Sequence, residues 1–263
     1  MRYFTLILSI LFAFSCSSAP KNAHDAPLKV KPTLSKVEKS SLKNGTIQFP
    51  SKDSLPITAD LYQKEGNKDF ILLCHQAGFS RGEYINTAPK LLEMGYNCLA
   101  TDQRAGRKAN GIFNETFKAA VARKMNVRYT DAIQDIETAI EKAYELNHNH
   151  PIILVGSSYS AALVLYLGNT DKVKAVAAFS PGEYIRGLEI GQAAKALKKP
   201  VFVTCAKKEI TAVEQLVSPM DKANLTFYKP TEKGIHGSRA LWDSTDGHEG
   251  YWAAFTEWLS KLR

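Results

Sequence analysis

The sequence predicts an α/β protein in which a mostly parallel sheet carries helices on both faces and begins with an antiparallel hairpin. Short apolar runs, of which residues 70–74 and 152–155 are examples, alternate along the chain with segments of helical pattern. Strands that are apolar along their whole length are typical of parallel sheets, because right-handed crossovers place a helix over each pair of strands. The 263 residues are 44% apolar and 23% charged, which provides one full core and excludes a disordered or multi-span membrane protein.

The predicted elements begin with the hairpin. Residues 45–50 and 55–62 have strand patterns, and the polar turn 51–54 separates them. Continuous apolar runs then predict six further strands, at residues 70–74, 96–100, 152–155, 173–179, 201–205 and 225–228.

Helices are predicted between these strands. The first covers residues 87–93, where Pro89 fits the first turn of a helix. A longer helix is predicted at about 128–147, because apolar residues recur from Tyr129 onward at steps of three and four. Another helix, at about 249–261, closes the chain.

Residues 107–126 differ from the rest of the predicted domain. They follow the end of a strand, and their first part is polar and without a regular pattern. Ligands of open α/β sheets bind outside the carboxyl ends of the strands, so we expect a small cap-like insertion there, over a functional site. The domain as a whole is predicted to span residues 44–263.

The N-terminus has the pattern of an export signal. Residues 1–15 have a short basic start followed by a mostly apolar run, which is too short to span a bilayer permanently. The run ends in Ala-Phe-Ser followed by Cys16, which resembles the bacterial lipoprotein signal, where such a cysteine is lipidated and becomes the new N-terminus. Residues 16–43 are rich in Ser, Pro and Lys and predict a flexible tether. We expect a protein anchored by lipid at a membrane of the bacterial cell envelope; cleavage near Ala19 would instead give a soluble periplasmic or secreted protein.

The charge and the cysteines favour no other class of protein. Lys and Arg number 34 and Asp and Glu 26, and because much of the +8 excess lies in the tether, we predict no nucleic-acid partner. Four cysteines cannot form a disulfide scaffold in a domain of this size, so Cys74, Cys98 and Cys205, on or beside core strands, are predicted to be buried free thiols. His148 and His150 lack a third ligand at suitable spacing, so no metal site is predicted.

Residues 154–163 carry the clearest chemical pattern. An apolar strand meets Gly-Ser-Ser-Tyr-Ser at positions 156–160 and turns at once into an apolar helix. A strained turn of this kind needs small residues two before and two after its central residue, and it lifts that residue above the sheet at the N-terminus of the helix. The central residue is Ser158, a candidate nucleophile. The alternative is that these serines only cap the helix.

This segment resembles the nucleophile elbow of the α/β-hydrolase superfamily, with Ser160 where glycine is more usual. The resemblance covers about residues 44–261 and is nearest to the dienelactone-hydrolase-like branch. It implies a triad in the order serine, acid, histidine. Glu209 stands just past a strand, where the family places the acid, commonly as Asp; the alternative is an exposed loop glutamate. His236, in a glycine-flanked loop after the last strand, is the implied catalytic histidine.

The resemblance also implies an oxyanion hole made of two backbone N–H groups. One belongs to Tyr159, directly after the nucleophile, and the other to the loop after the third strand, where Ala77 is the better candidate and Gln76 the second. His75, in the same loop, is expected to organise the turn. His248, the rival to the catalytic histidine, stands where the last helix is expected to begin.

Arg104 follows a strand at the same edge of the sheet. Two roles are open to it: an ion pair that fixes the loop, which we favour, or recognition of a carboxylate on the substrate.

The function that these observations predict is serine hydrolysis through an acyl-enzyme. Ser158 attacks a carbonyl of a small acyl substrate, His236 takes and returns the proton, and Glu209 orients the imidazolium. No metal or organic cofactor is required. An ester is the default substrate, while a thioesterase, a peptidase on the same fold and a non-catalytic binding protein of the cell envelope remain open.

Overall fold

Among the residues described by the computed structural model, 42–67 and 69–263, eight strands form one sheet and two short strands form a separate hairpin. The predicted signal peptide, Cys16 and nearly all of the predicted tether lie outside the described residues. Within the described ranges, no helix has the length and apolar character needed to cross a bilayer.

The strands, in chain order, are β1 (Leu42–Pro50), β2 (Pro56–Lys64), β3 (Asp69–Cys74), β4 (Tyr96–Thr101), β5 (Lys108–Ala109), β6 (Ile112–Phe113), β7 (Ile152–Ser157), β8 (Val173–Phe179), β9 (Val201–Thr204) and β10 (Leu225–Tyr228). The α-helices are α1 (Thr87–Glu93), α2 (Glu115–Ala122), α3 (Ile133–Leu146), α4 (Tyr159–Leu167), α5 (Ile190–Ala196), α6 (Ile210–Val217) and α7 (His248–Ser260). Short 3₁₀ turns cover Arg81–Tyr84, Lys207–Glu209 and Ser238–Leu241.

The large sheet has the order β1-β2-β4-β3-β7-β8-β9-β10. β2 is antiparallel to both of its neighbours, whereas every pair from β4 to β10 is parallel. The predicted fold class, including the opening hairpin, is therefore confirmed. Because β3 and β7 are adjacent and parallel, the loops that follow them leave the same edge of the sheet side by side.

The core lies on both faces of the sheet, which explains why the central strands are apolar throughout. In β3, Leu72 and Cys74 face the cluster that includes helices α3, α4, α5 and α6. The alternating residues Ile71 and Leu73 face the cluster that includes α1 and α7. A strand covered by helices on both sides has no solvated face for polar side chains.

The helix predicted at about 128–147 begins later than expected, at Ile133. The Asp131 carboxylate accepts hydrogen bonds from the backbone N–H and the guanidinium of Arg128, and these contacts close a turn in place of the first helical turn. Tyr129 therefore lies outside the helix and stacks on Tyr159, with ring centroids 4.6 Å apart.

The segment 107–126 is more regular than predicted. It contains the β5–β6 hairpin and helix α2, which packs on β2. Asn114 caps α2, because its Oδ1 accepts a hydrogen bond of 2.7 Å from the Phe117 N–H. That this segment covers the site stays a prediction. Cys74, Cys98 and Cys205 are buried free thiols, as predicted.

Candidate active site

Ser158 lies in a tight turn between β7 and α4, with φ 58° and ψ −118°. Few residues other than glycine adopt such a positive φ. The turn also requires Gly156, because a Cβ at this position would overlap the backbone of Ser160. Ser160, where glycine is more usual, donates its hydroxyl to the His75 carbonyl at 2.6 Å and thereby ties the turn to the loop after β3.

The three residues predicted as a triad lie in one hydrogen-bonded chain. The distance from His236 Nε2 to Ser158 Oγ is 2.7 Å, and the distance from His236 Nδ1 to Glu209 Oε1 is also 2.7 Å. Ser158 follows β7, Glu209 ends the 3₁₀ turn after β9, and His236 lies in the loop after β10. In this arrangement the imidazole can accept the serine proton on one side while the carboxylate holds its other nitrogen.

The second oxygen of Glu209 is held by neutral donors. It accepts hydrogen bonds from the Ser180 hydroxyl at 2.7 Å and from the Ala206 N–H at 3.0 Å. Burial alone would raise the pKa of Glu209, but hydrogen bonds from His236 and Ser180, together with the charge of His236, lower it below the ordinary value of 4.5. Glu209 is therefore ionised at neutral pH and can stabilise an imidazolium.

Ser180 joins the acid to the histidine loop. It directly follows β8 with φ 57°, donates its hydroxyl to Glu209 and accepts a hydrogen bond of 2.9 Å from the Gly237 N–H. The only sequence signal for this role is its place after the strand next to the one that leads to Glu209.

The backbone N–H groups expected to bind an oxyanion differ in their partners. Tyr159 is the first residue of α4, so its N–H has no acceptor within the helix. The Gln76 N–H is already engaged, because it donates to the Glu83 carboxylate at 2.7 Å. Within the part of the chain that the structure describes, the Ala77 N–H has no hydrogen-bond partner. The geometry thus favours Ala77 over Gln76.

His75 is fully buried beneath this loop. Its Nδ1 lies 2.8 Å from the Gln76 carbonyl oxygen, and its Nε2 lies 3.0 Å from both the Gln103 N–H nitrogen and Asn114 Nδ2. Burial lowers the pKa of His75 to about 4, so the ring stays neutral at physiological pH. The contacts are those of a residue that organises the turn.

Comparison with known families agrees with this geometry. Residues 65–211, more than half of the chain, match the family described as serine aminopeptidase, S33. The chain belongs to this family of α/β-hydrolases. A search of curated proteins found no match.

Several solved structures share the fold of this hydrolase. An esterase from Pyrococcus furiosus superposes with a TM-score of 0.66 at 16% identity, over 84% of this chain and 93% of that chain. A dienelactone hydrolase from Anabaena variabilis gives 0.64 at 13% identity, over 84% of this chain and 98% of that chain. An acylaminoacyl peptidase from Pyrococcus horikoshii gives 0.60 at 14% identity, over 84% of this chain and 42% of that chain.

A second carboxylate of the hydrolase, Glu83, lies beneath the site and is 0% exposed. Its Oε1 accepts hydrogen bonds from the hydroxyls of Ser157, at 2.7 Å, and Ser238, at 2.5 Å. Its Oε2 accepts the hydrogen bond from the Gln76 N–H. In the sequence, Glu83 looks like an ordinary solvent-exposed glutamate in a polar segment, so no pattern predicts its place in the site.

Arg104 is only 2% exposed and forms the ion pair that the sequence analysis favours. Its guanidinium contacts the Asp135 carboxylate at 2.6 Å and the Asp53 carboxylate at 2.7 Å. Burial alone would lower the pKa of Arg104, but the hydrogen bonds that it donates to these two carboxylates raise the pKa above its usual range. These contacts, together with the hydrogen bond of 2.9 Å from the Arg104 N–H to Asp135, tie the loop after β4 to helix α3.

Among the described residues, His148, His150 and His248 take no part in this hydrogen-bonded chain. His248 is the first residue of α7, as expected, and its Nε2 lies 3.1 Å from Glu249. His148 and His150 follow the end of α3. Residues 42–67 and 69–263 contain no group of three or more His, Cys, Asp or Glu side chains arranged to hold a metal ion.

Two cavities lie beside the hydrogen-bonded chain of Ser158, His236 and Glu209. One, of about 860 Å³, is lined by His236 and by a charged set of residues, Lys207, Lys208, Lys233, Arg239, Glu232 and Asp246. The other, of about 790 Å³, is lined by Glu209, Tyr184, Glu183 and Glu189, among others. Tyr184 packs its ring edge-on against His236, with centroids 6.3 Å apart.

Proposed function

We propose that this chain is a serine hydrolase that cleaves carboxylic esters of small acyl substrates through an acyl-enzyme. The observation that supports this most strongly is the pair of 2.7 Å hydrogen bonds joining Ser158, His236 and Glu209. Ser158 Oγ attacks the ester carbonyl while His236 Nε2 takes its proton, and Glu209 stabilises the imidazolium that forms. The N–H groups of Tyr159 and Ala77 bind the oxyanion.

The second half of the reaction uses the same groups. The His236 imidazolium returns its proton to the leaving oxygen, and the alcohol departs. A water molecule, deprotonated by the neutral imidazole, then attacks the acyl-enzyme carbonyl. The acid leaves as the proton returns to Ser158 Oγ, so the enzyme is regenerated without a metal or organic cofactor.

The family description favours a second candidate, cleavage of peptides at a free N-terminus. Such a substrate needs an anionic group to bind its α-ammonium. The charged lining of the 860 Å³ cavity is mostly basic. In the 790 Å³ cavity, Glu183 already accepts hydrogen bonds from the Ile190 and Gly191 N–H groups, at 2.9 and 2.8 Å. The basic lining of the 860 Å³ cavity supports an ester substrate, whereas Glu189, which also lines the 790 Å³ cavity, is the acidic group that a peptide with a free N-terminus would use.

The test of the nucleophile combines a fluorophosphonate probe with Ser158→Ala. Wild-type protein is expected to be labelled and to cleave p-nitrophenyl esters of graded acyl length. Ser158→Ala should be unlabelled and at least about 10³-fold slower, because the acyl-enzyme cannot form. Ser218→Ala, at an exposed serine, is the matched control and should behave as wild type.

Each other outcome has a definite meaning. Full labelling of Ser158→Ala overturns the assignment of the nucleophile. Wild-type protein that neither reacts with the probe nor cleaves any ester supports a non-catalytic binding protein. Faster cleavage of alanine or leucine p-nitroanilide than of every ester supports the peptidase, and faster cleavage of acyl thioesters supports a thioesterase.

We also propose that the enzyme is exported and held at a membrane of the cell envelope by lipid on Cys16. The support is the apolar run that ends at this cysteine and the Ser-, Pro- and Lys-rich segment that follows it. Each buried methylene of an acyl chain contributes about 0.8 kcal/mol, so more than one chain anchors a protein stably.

In a bacterial host, wild-type protein should incorporate labelled palmitate and sediment with membranes. Cys16→Ala should incorporate none and keep its esterase activity per folded molecule. Soluble wild-type protein with a mature N-terminus beyond residue 16 would overturn this proposal.

A further inference from the structure

The buried carboxylate of Glu83 joins three segments that meet at the site. The Gln76 N–H comes from the loop after β3, the Ser157 hydroxyl from the residue before the nucleophile, and the Ser238 hydroxyl from the segment two residues past His236. The Ser238 N–H also donates to Ser157 Oγ at 2.8 Å, which closes the network.

Each of these segments carries one component of the proposed reaction. Gln76 immediately precedes Ala77, whose N–H is a proposed oxyanion donor. Ser157 immediately precedes Ser158. Ser238 lies two residues after His236, and Gly237 between them packs so closely that a Cβ there would contact Gln76 Oε1 and Ser157 Oγ. The nucleophile, the base and an oxyanion donor therefore share one hydrogen-bonded support.

The contacts of Glu83 are those of an acceptor. All three partners of the carboxylate, two hydroxyls and one backbone N–H, donate to it. Among the described residues no cation is hydrogen-bonded to it, and Arg239 acts on it only through its charge. Burial raises the pKa of Glu83, against the effect of the three hydrogen bonds. Burying a carboxylate without a bonded cation lowers the stability of the folded protein. The burial of Glu83 is therefore better explained by a role in the site than by a contribution to stability.

The residue itself is held rigidly. Glu83 lies in the 3₁₀ turn Arg81–Tyr84, and its backbone carbonyl accepts a hydrogen bond of 3.0 Å from Trp242 Nε1. The next residue, Tyr84, donates its hydroxyl to the Cys74 carbonyl at 2.8 Å, at the end of β3. A carboxylate can set the positions of three segments only if its own position is fixed. These contacts fix the position of Glu83.

We propose, on the basis of the function proposed above, that Glu83 is a positioning residue that sets the relative places of Ser158, His236 and the Ala77 N–H. It touches no substrate and transfers no proton. Its loss leaves the triad residues present but displaced from one another, and a displacement of about 1 Å in such groups lowers turnover by about 10²-fold.

The main test is Glu83→Gln, which keeps the shape but presents an amide NH₂ group where the network needs an acceptor. We expect kcat for a p-nitrophenyl ester to fall about 10- to 100-fold, with KM within about threefold of wild type. Rates are expressed per active site titrated with a fluorophosphonate. A merely structural role would lower the number of competent sites or the Tm, and it would leave kcat per titrated site unchanged.

Ser238→Ala provides a milder test that leaves the carboxylate in place, should Glu83→Gln fail to fold. It removes one of the three donors, and we expect kcat per titrated site to fall by about three- to tenfold. The matched control is Ser51→Ala, because the Ser51 hydroxyl also donates to a buried carboxylate, Asp135, at 3.1 Å, but outside the site. Ser51→Ala should lower the Tm without changing kcat per titrated site.

The outcomes separate this proposal from the one on which it rests. If wild-type protein is neither labelled nor active, the proposed function fails and the role of Glu83 fails with it. If wild-type protein is labelled and active, and the folded Glu83 and Ser238 variants match it in kcat per titrated site, the proposed function stands and the positioning role is overturned.

Discussion

Arg104 and Glu209 both follow a strand of the large sheet, but their surroundings differ in one respect. The guanidinium of Arg104 lies between two carboxylates, Asp53 and Asp135, and each supplies a permanent opposite charge. Glu209 is held by the Ser180 hydroxyl, the Ala206 N–H and an imidazole, so its hydrogen-bond partners include no permanent cation.

We infer from this difference that the Arg104 cluster is structural and the Glu209 cluster is reactive. The charge of Arg104 is already balanced by two permanent partners, so we expect this cluster to contribute to the stability of the fold. In the proposed mechanism, a carboxylate held by neutral donors gains a full partner when the imidazole beside it is protonated, and that gain lowers the barrier of the reaction.

The largest effect on catalysis is expected when Glu209, the proposed acid, is replaced. Glu209→Gln should lower kcat by about 10⁴-fold with little change in KM, because the amide cannot stabilise the imidazolium. Steady-state kinetics with a p-nitrophenyl ester measure this, with Glu65→Gln, at an exposed position, as the control. A loss no greater than that of the control would assign the acid to another carboxylate.

Breaking the Arg104 cluster should lower the stability of the fold and leave catalysis unchanged. Arg104→Ala leaves Asp135 buried without its cation, which should cost about 3–5 kcal/mol in the free energy of unfolding. Urea denaturation measures the loss, and kcat per titrated site should match wild type. A selective rise in KM for substrates that carry a carboxylate, without loss of stability, would show that Arg104 recognises substrate instead.

Removing the hydroxyl that joins Glu209 to the histidine loop should have a smaller effect. Ser180→Gly suits the φ of 57° at this position, so it isolates the loss of the hydroxyl from any backbone strain. We expect kcat to fall about tenfold. The Ser180 hydrogen bond lowers the pKa of Glu209, so without it the part of the acidic limb of the pH–rate profile that reflects protonation of Glu209 should move to higher pH. An unchanged limb would contradict the role given to Ser180.

The smallest expected effect concerns how the free energy of unfolding depends on pH. The pKa of Glu209 is lower in the folded protein than its ordinary value of 4.5. Its contribution to stability is therefore fully present above pH 4.5 and is lost as the pH falls through the folded pKa. The difference in unfolding free energy between wild type and Glu209→Gln should shrink between roughly pH 5 and pH 3. A difference that stays constant over this range would contradict the lowered pKa.

The sequence predicts the fold well because apolar periodicity and turn residues act locally. Each predicted strand is present, and helix α1 has the predicted bounds, since Pro89 and Gly95 mark its ends. The start of α3 is predicted wrongly, because a local hydrogen bond between Arg128 and Asp131 replaces a helical turn that the apolar spacing favours.

A single sequence predicts a residue of the site only where that residue stands in a recognisable local pattern. Ser158, Glu209 and His236 each stand in a recognisable local setting, and the structure brings them together. Glu83 and Ser180 depend on partners 74 and 29 residues away, and a single sequence carries no record of such pairings. Polar residues that support a site through long-range contacts therefore look like ordinary surface residues until the fold is known.

The backbone of Ser158 has a consequence for engineering. A non-glycine residue at φ 58° costs the folded state about 1–3 kcal/mol, and glycine would relieve much of this strain. A library selected for heat resistance alone would therefore enrich glycine at position 158 and lose the hydroxyl. Thermostable variants of this enzyme should be sought with a selection that scores turnover and survival together.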